Sequence, residues 1–130
     1  MKTERHAMNI DDILAQAIAV KGIDVIPYQP DGADVDELRR LADLVRSKMR
    51  NSVVCLGSAH EGKAILLCAA TSTAVARGID CGAIIKKSAP LVGGGGGGRK
   101  DIAQAGGKSP AGLPQALKEA VETAKKMVGA

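Results

Sequence analysis

A small mixed α/β domain of the α+β type, with helices packed on one mixed β-sheet, is the fold this sequence predicts. Three observations lead there. Apolar residues switch between helical spacing and period-two runs along 130 residues, a length that suits one globular domain with its own core. The hydrophobic share is an ordinary 45%, but Tyr28 is the only aromatic residue, so that core must be aliphatic. No internal repeat or long linker divides the chain, which leaves helices layered on a sheet as the simplest architecture.

The elements follow in order. Ile10, Ile13, Leu14, Ala17 and Ile18 recur at helical spacing and predict a helix over about 10–17. The period then changes to two, giving short strands over 18–20 and 22–27 around a tight turn at Lys21 and Gly22. Asp34 with Glu37 three residues on forms a helix-start box, and Val35, Leu38, Leu41, Ala42, Val45 and Met49 continue it as one apolar stripe ending near Asn51. Arg39, Arg40, Arg46, Lys48 and Arg50 occupy its outer face, either as a solvated surface or as a contact surface.

Residues 52–56 and 63–70, rich in Val, Ile and Leu, predict a hairpin joined by GSAHEG, in which His60 is a solvated turn residue beside Glu61. Helices are expected over 71–77 and 80–91, separated by Gly78 and interrupted near Gly82 or Pro90, with Lys86 and Lys87 facing outward. A short strand over 101–105 puts Ile102 and Gln104 on one side and Ala103 and Ala105 on the other. Ser109 and Pro110 then turn the chain into a last amphipathic helix marked by Leu117, Ala120, Val121, Ala124 and Val128.

Several function classes are excluded early. The near absence of aromatics argues against single-strand readers that stack bases on aromatic platforms. Cys55, Cys68 and Cys81 form no C-x-x-C pair and read as buried free thiols of a reducing compartment, and His6 and His60 add no metal-ligand spacing. No apolar run is long enough for a membrane span and no signal-peptide pattern opens the chain, so a soluble, cytoplasmic protein is expected. Net charge is +4, a mild excess compatible with a polyanionic partner. No Ser, Cys or His nucleophile stands beside a base, and no carboxylate pair has an acid/base arrangement.

The segment GGGGGGRKDIAQAGGK, from Gly93 to Lys108, is where function is expected to sit. Ordering its six glycines as a loop costs on the order of 6–12 kcal/mol, which side-chain packing cannot return. A partner such as a phosphodiester chain, approached closely by peptide N–H groups, would bring that order, with Arg99, Lys100 and Lys108 adding charge. A Walker loop is excluded because Arg and Lys stand where Lys and Ser or Thr must touch phosphate and magnesium. A Rossmann match is trivial inside poly-glycine, with no acidic residue about twenty positions on after a strand. A flexible linker is the remaining plain reading, although only one more helix follows.

These residues resemble the signature GGGRPDMAQAGG of the C-terminal domain of alanyl-tRNA synthetases, a domain related to the accessory domain of the DHH phosphoesterases. Gly96, Gly97, Gly98, Arg99, Asp101, Ala103, Gln104, Ala105, Gly106 and Gly107 match it, while Lys100 replaces proline and Ile102 replaces methionine. The stretch ELRRLADLVRSKMRNSVVCLGS, ending at Ser58, is similar to the family pattern as well. So are Gly22-Ile23-x-Val25, the Gly62-Lys63 turn and Cys81-Gly82-x-Ile84-Ile85. The resemblance runs from Asn9 to Val128; residues 1–8 lie outside it and read as a cut end or added residues. Two departures stand out: Gly95 replaces a lysine often found in the family's glycine run, and Lys100 loosens the chain where proline would stiffen it. Arg99, where the phosphoesterase relatives carry histidine, favours the synthetase branch.

What the resemblance implies is a tRNA-binding domain without catalytic residues, supporting aminoacylation and editing by gripping the tRNA corner. Its implied RNA contacts are Gly94, Gly95, Gly96, Gly97, Gly98, Arg99, Lys100, Gln104, Gly106, Gly107 and Lys108, joined by Lys86 and Lys87. Gln104 either reads a base or sugar hydroxyl or bonds only within its turn, and Asp101 is expected to orient Arg99. No cofactor is implied for this domain: ATP, magnesium and zinc belong to other domains of a parent enzyme. The implied partners are tRNA, those other domains and a possible homodimer, with no membrane. Two alternatives stand beside this reading. One is the accessory phosphate-binding domain of a DHH-type phosphoesterase; the other is a dimerisation or protein-interaction module with the helix over 10–17 as the remnant of a coiled region.

Overall fold

The structure is a computed structural model that describes residues 10–30 and 32–129, so the expectation for residues 1–8 lies outside the described residues. One six-stranded mixed sheet carries helices on both faces, as the sequence predicted. In chain order the elements are α1 (Ile10–Leu14), β1 (Ile18–Val20), β2 (Ile23–Tyr28), α2 (Val35–Lys48), β3 (Ser52–His60) and β4 (Lys63–Ala70). Then come α3 (Ser72–Ala76), α4 (Cys81–Ser88), β5 (Gly94–Gly98), β6 (Ile102–Gly107) and α5 (Leu113–Gly129). The strands lie side by side as β1-β2-β3-β4-β6-β5. All neighbours pair antiparallel except β2 with β3, which run parallel with α2 as the crossover between them.

Local chemistry accounts for most boundaries. The box at the start of α2 is closed in both directions, Glu37 N donating to Asp34 Oδ1 at 2.9 Å and Asp34 N to Glu37 Oε1 at 3.1 Å. The β1–β2 turn takes positive φ at Lys21 and Gly22, the left-handed pair that a two-residue hairpin demands. The same geometry recurs at Glu61 and Gly62, which are the whole β3–β4 turn. GSAHEG is therefore mostly strand: β3 runs on to His60, whose ring Nδ1 lies 3.2 Å from the Gly32 carbonyl. His60 is a tethered strand end, not a solvated turn residue.

Because β3 and β4 lie centrally, they bury both faces. Val53, Cys55, Leu66, Cys68 and Ala70 join Ile84, Leu113, Ala116 and Ala120 under α4 and α5. On the other face Val54, Leu56, Leu67 and Ala69 meet Ile13, Leu38, Ala42 and Val45 of α1 and α2. All three cysteines are free thiols in the first of these layers. Cys55 and Cys68 are direct cross-strand partners, and the contact with Cys55, then Cys81, then burial, holds the Cys68 thiol well above the ordinary range.

The expected glycine loop is a strand. Gly94–Gly98 pairs residue for residue with Gly107 back to Ala103 and forms the sheet edge. The backbone ladder and α4 order the run, so no external partner is needed for that. Glycine is required at alternate positions by close approach. A Cβ on Gly94 would fall on the Gly106 carbonyl oxygen, and one on Gly96 on the Gln104 carbonyl oxygen and the Ala105 backbone.

Candidate nucleic-acid interface

The β5–β6 turn is pinned by backbone bonds before any side chain acts. Arg99 N donates to the Ile102 carbonyl at 2.9 Å, closing the turn around Lys100 and Asp101. The carbonyls of Arg99 and Lys100 in turn accept the first amides of α4, Gly82 N and Cys81 N, each at 3.0 Å. Gly82 permits this approach, since a Cβ there would stand 2.9 Å from the Gly98 carbonyl oxygen. Asp80 caps the next amide, Ala83 N, at 3.2 Å. The opening amides of α4 are thus used within the fold and are not the anion donors that a free helix N-terminus would supply.

The donors left for an anion are side chains and the β5 edge. Antiparallel bonding alternates, and the Arg99–Ile102 bond fixes its phase: Gly95 and Gly97 face β6, and the N–H groups of Gly94 and Gly96 face away from it. Arg99 carries its guanidinium largely into solvent, 78% exposed, with Nε 3.4 Å from Asp101 Oδ1. Lys86 reaches over from α4, its Cε 3.6 Å from where a Gly97 side chain would begin. On the other side Arg39 of α2 donates from Nη2 to Gln104 Oε1 at 2.9 Å. Gln104 is therefore a β6 residue bonded to the helix that packs over its own face of the sheet, not within a turn.

These groups divide between two hollows. A cavity of about 260 Å³ at the turn end is lined by Arg39, Gly97, Gly98, Arg99, Ile102, Ala103 and Gln104. A second, of about 650 Å³, lies at the opposite end of the hairpin, where Gly93, Gly94, Gly106, Gly107 and Lys108 meet His60, Glu61, Lys63, Ala64 and Ile65. Of the residues expected from sequence, Gly97, Gly98, Arg99 and Gln104 come together at the first cavity, with Lys86 alongside Gly97 and Lys100 in the turn. Gly94, Gly106, Gly107 and Lys108 gather at the second. Gly95 and Gly96 connect the two ends, and Lys87 lies exposed on α4, lining neither.

The sequence puts Arg39 on an outer helix face but does not reveal its partner, because 65 residues separate it from Gln104. Lys63 has no local pattern that marks it as a contact residue. Among the described residues no group of three or more His, Cys, Asp or Glu side chains is arranged to hold a metal ion. No helix of the described residues is long and apolar enough to cross a membrane.

The model of the DHHA1 domain matches residues 12–129. The chain belongs to the DHHA1 domain family. Within it, the chain is 45% identical over 114 residues to the alanine–tRNA ligase of Myxococcus xanthus, covering 88% of this chain and 13% of that protein. It is 40% identical over 122 residues to the alanine–tRNA ligase of Acetivibrio thermocellus, covering 94% of this chain and 14% of that one. The DHHA1 chain thus spans about one-seventh of the length of the ligases it matches. Its fold matches the crystal structure of the C-Ala domain from Aquifex aeolicus alanyl-tRNA synthetase, with a TM-score of 0.74 and 28% identity over 84% of this chain and 97% of that one. The resemblance drawn from the glycine segment is borne out: this DHHA1 domain is homologous to the C-terminal domain of alanyl-tRNA synthetases.

Proposed function

We propose that this DHHA1 domain binds tRNA as an accessory domain of alanine–tRNA ligation, gripping the tRNA corner so that aminoacylation and editing can share one bound tRNA. The observation that carries the reading is the turn end of β5 and β6. Arg99, Lys86, Lys100 and Arg39 surround bare glycine backbone there, and the adjoining edge amides of Gly94 and Gly96 are directed outward. Cations on flexible stems around a rigid backbone edge suit phosphates and riboses and carry little sequence information. The match to a small portion of two alanine–tRNA ligases supplies the context. In this role the domain acts in the cytoplasm, uses no cofactor of its own, and partners tRNA and the other domains of a synthetase.

Titration of fluorescent tRNA with the domain at rising salt tests the reading. The expected result is affinity that falls steeply between 50 and 200 mM salt and drops about tenfold in Arg99→Ala, as the loss of a phosphate-held cation requires. Unchanged affinity in Arg99→Ala sinks the site assignment. Salt-insensitive or undetectable binding by the unaltered domain sinks the function.

A further inference from the structure

The larger cavity, at the far end of the hairpin from Arg99, has features that the fold itself does not require. Gly106 and its cross-strand partner Gly95 are both free of steric need: a Cβ on Gly95 meets nothing within 4 Å, and one on Gly106 meets only the Ala64 carbonyl oxygen at 3.8 Å. Gly107, by contrast, must be glycine because a Cβ would strike the Val92 carbonyl oxygen. Bare backbone at Gly106 therefore keeps a floor open, and the hollow above it measures about 650 Å³, within the size range of small-ligand sites. Its walls combine apolar Ala64 and Ile65 with two cations, Lys63 and Lys108, and one carboxylate, the solvent-exposed Glu61, whose Oε2 lies 3.9 Å from His60 Nε2. His60, tied by its ring Nδ1 to the Gly32 carbonyl, is a pre-positioned flat ring at the rim.

A flat, side-chain-free floor, an imidazole and two ammonium groups fit a planar, anionic ligand. We propose that this cavity seats one unstacked nucleotide of the bound RNA, its base laid on the backbone of Gly106 beside His60 and its phosphate between Lys63 and Lys108. The proposal rests on the RNA-binding reading above and adds a second anchor to it. The two ends of β6 stand about 17 Å apart at the usual strand rise, so one RNA strand lying along the hairpin reaches both. Glycine and histidine supply here the flat surface that aromatic side chains give other single-strand binders, which this chain lacks.

The test is amide-resolved NMR of the domain with AMP and, separately, inorganic phosphate at millimolar concentration, combined with tRNA titration of Gly106→Val and Lys63→Ala. Valine suits a strand and has room at position 106, so that variant fills the floor while keeping the fold. Expected are AMP-induced shifts at Lys63 to Ile65 and Gly106 to Lys108 that phosphate alone does not reproduce, and their loss in Gly106→Val. Weakening of tRNA by about tenfold in each variant should accompany them, of the order seen for one base contact. Wild-type tRNA affinity in Gly106→Val overturns the proposal, as does an AMP pattern that phosphate reproduces in full. Absence of AMP shifts in the unaltered domain overturns it without any variant. Failure of the underlying reading is a different result, no salt-sensitive tRNA affinity in the unaltered domain; AMP shifts that survive it would assign the cavity to a free nucleotide and overturn its role as an RNA seat.

Discussion

At the residue scale, the glycines of β5 are not equivalent, although the sequence makes them look so. Gly96 sits where any Cβ collides with the backbone of β6, whereas Gly95 opens on empty space. Gly96→Ala should cost about 1–3 kcal/mol, the usual penalty for forcing atoms into a packed position. Gly95→Ala should change stability by no more than about 0.5 kcal/mol, as for a surface site without special contacts. Urea denaturation of the two variants checks both. A second residue-scale expectation concerns Asp34, whose carboxylate accepts the Glu37 amide: Asp34→Ala should lower stability by about 1 kcal/mol in the same assay. The Asp34 box was legible in the sequence because its two partners are three residues apart. The Arg39–Gln104 bond was not, since nothing local to either residue encodes how α2 crosses the sheet.

At the scale of elements, β5 is the feature that local reasoning could not find. Strand recognition depends on alternating side chains, and five glycines carry no alternation, so the run looks like a loop until β6 and α4 are brought beside it. β6 itself was legible, down to the sides taken by Ile102, Gln104, Ala103 and Ala105, because it has side chains to read. The alternation imposed by pairing makes β5 testable by hydrogen exchange. Amides of Gly95 and Gly97 should be protected and those of Gly94 and Gly96 should exchange much faster, with equal protection along the strand counting against this register. The central pair β3 and β4 carries a pH signature. Below about pH 8.5 a thiol is protonated in folded and unfolded chains alike; above it the unfolded Cys68 ionises while the buried one, its pKa raised by Cys55, Cys81 and burial, stays protonated. Stability should therefore fall as pH rises past that point, and Cys68→Ala should reduce the slope in denaturation curves measured between pH 7 and 10.

At the scale of the whole molecule, the layered mixed sheet was foreseeable from composition and period, whereas the strand order was not. The parallel pairing of β2 with β3, and the insertion of β6 between β4 and β5, depend on contacts between distant parts of the chain. The net charge of +4 is modest, and the cations lining the two cavities, Arg39 and Arg99 at one end and Lys63 and Lys108 at the other, bracket the glycine hairpin. If the hairpin grips RNA at both ends, Arg99→Ala combined with Lys63→Ala should flatten the dependence of log affinity on log salt by roughly two units relative to the unaltered domain. A slope equal to that of either single variant would mean that only one end touches phosphate.

A strand made only of glycine offers no side chains by which its neighbour can recognise one position from the next. Its alignment must be set from outside, by the left-handed turn at Gly93 on one side and the clasp of Arg99 and Lys100 on α4 at the other. The run therefore behaves as a ruler whose meaning is its number of units. Removing two glycines would preserve its chemistry and still leave it about 7 Å too short, at the usual rise per residue, to run from the Gly93 turn to the Arg99 clasp along an unchanged β6.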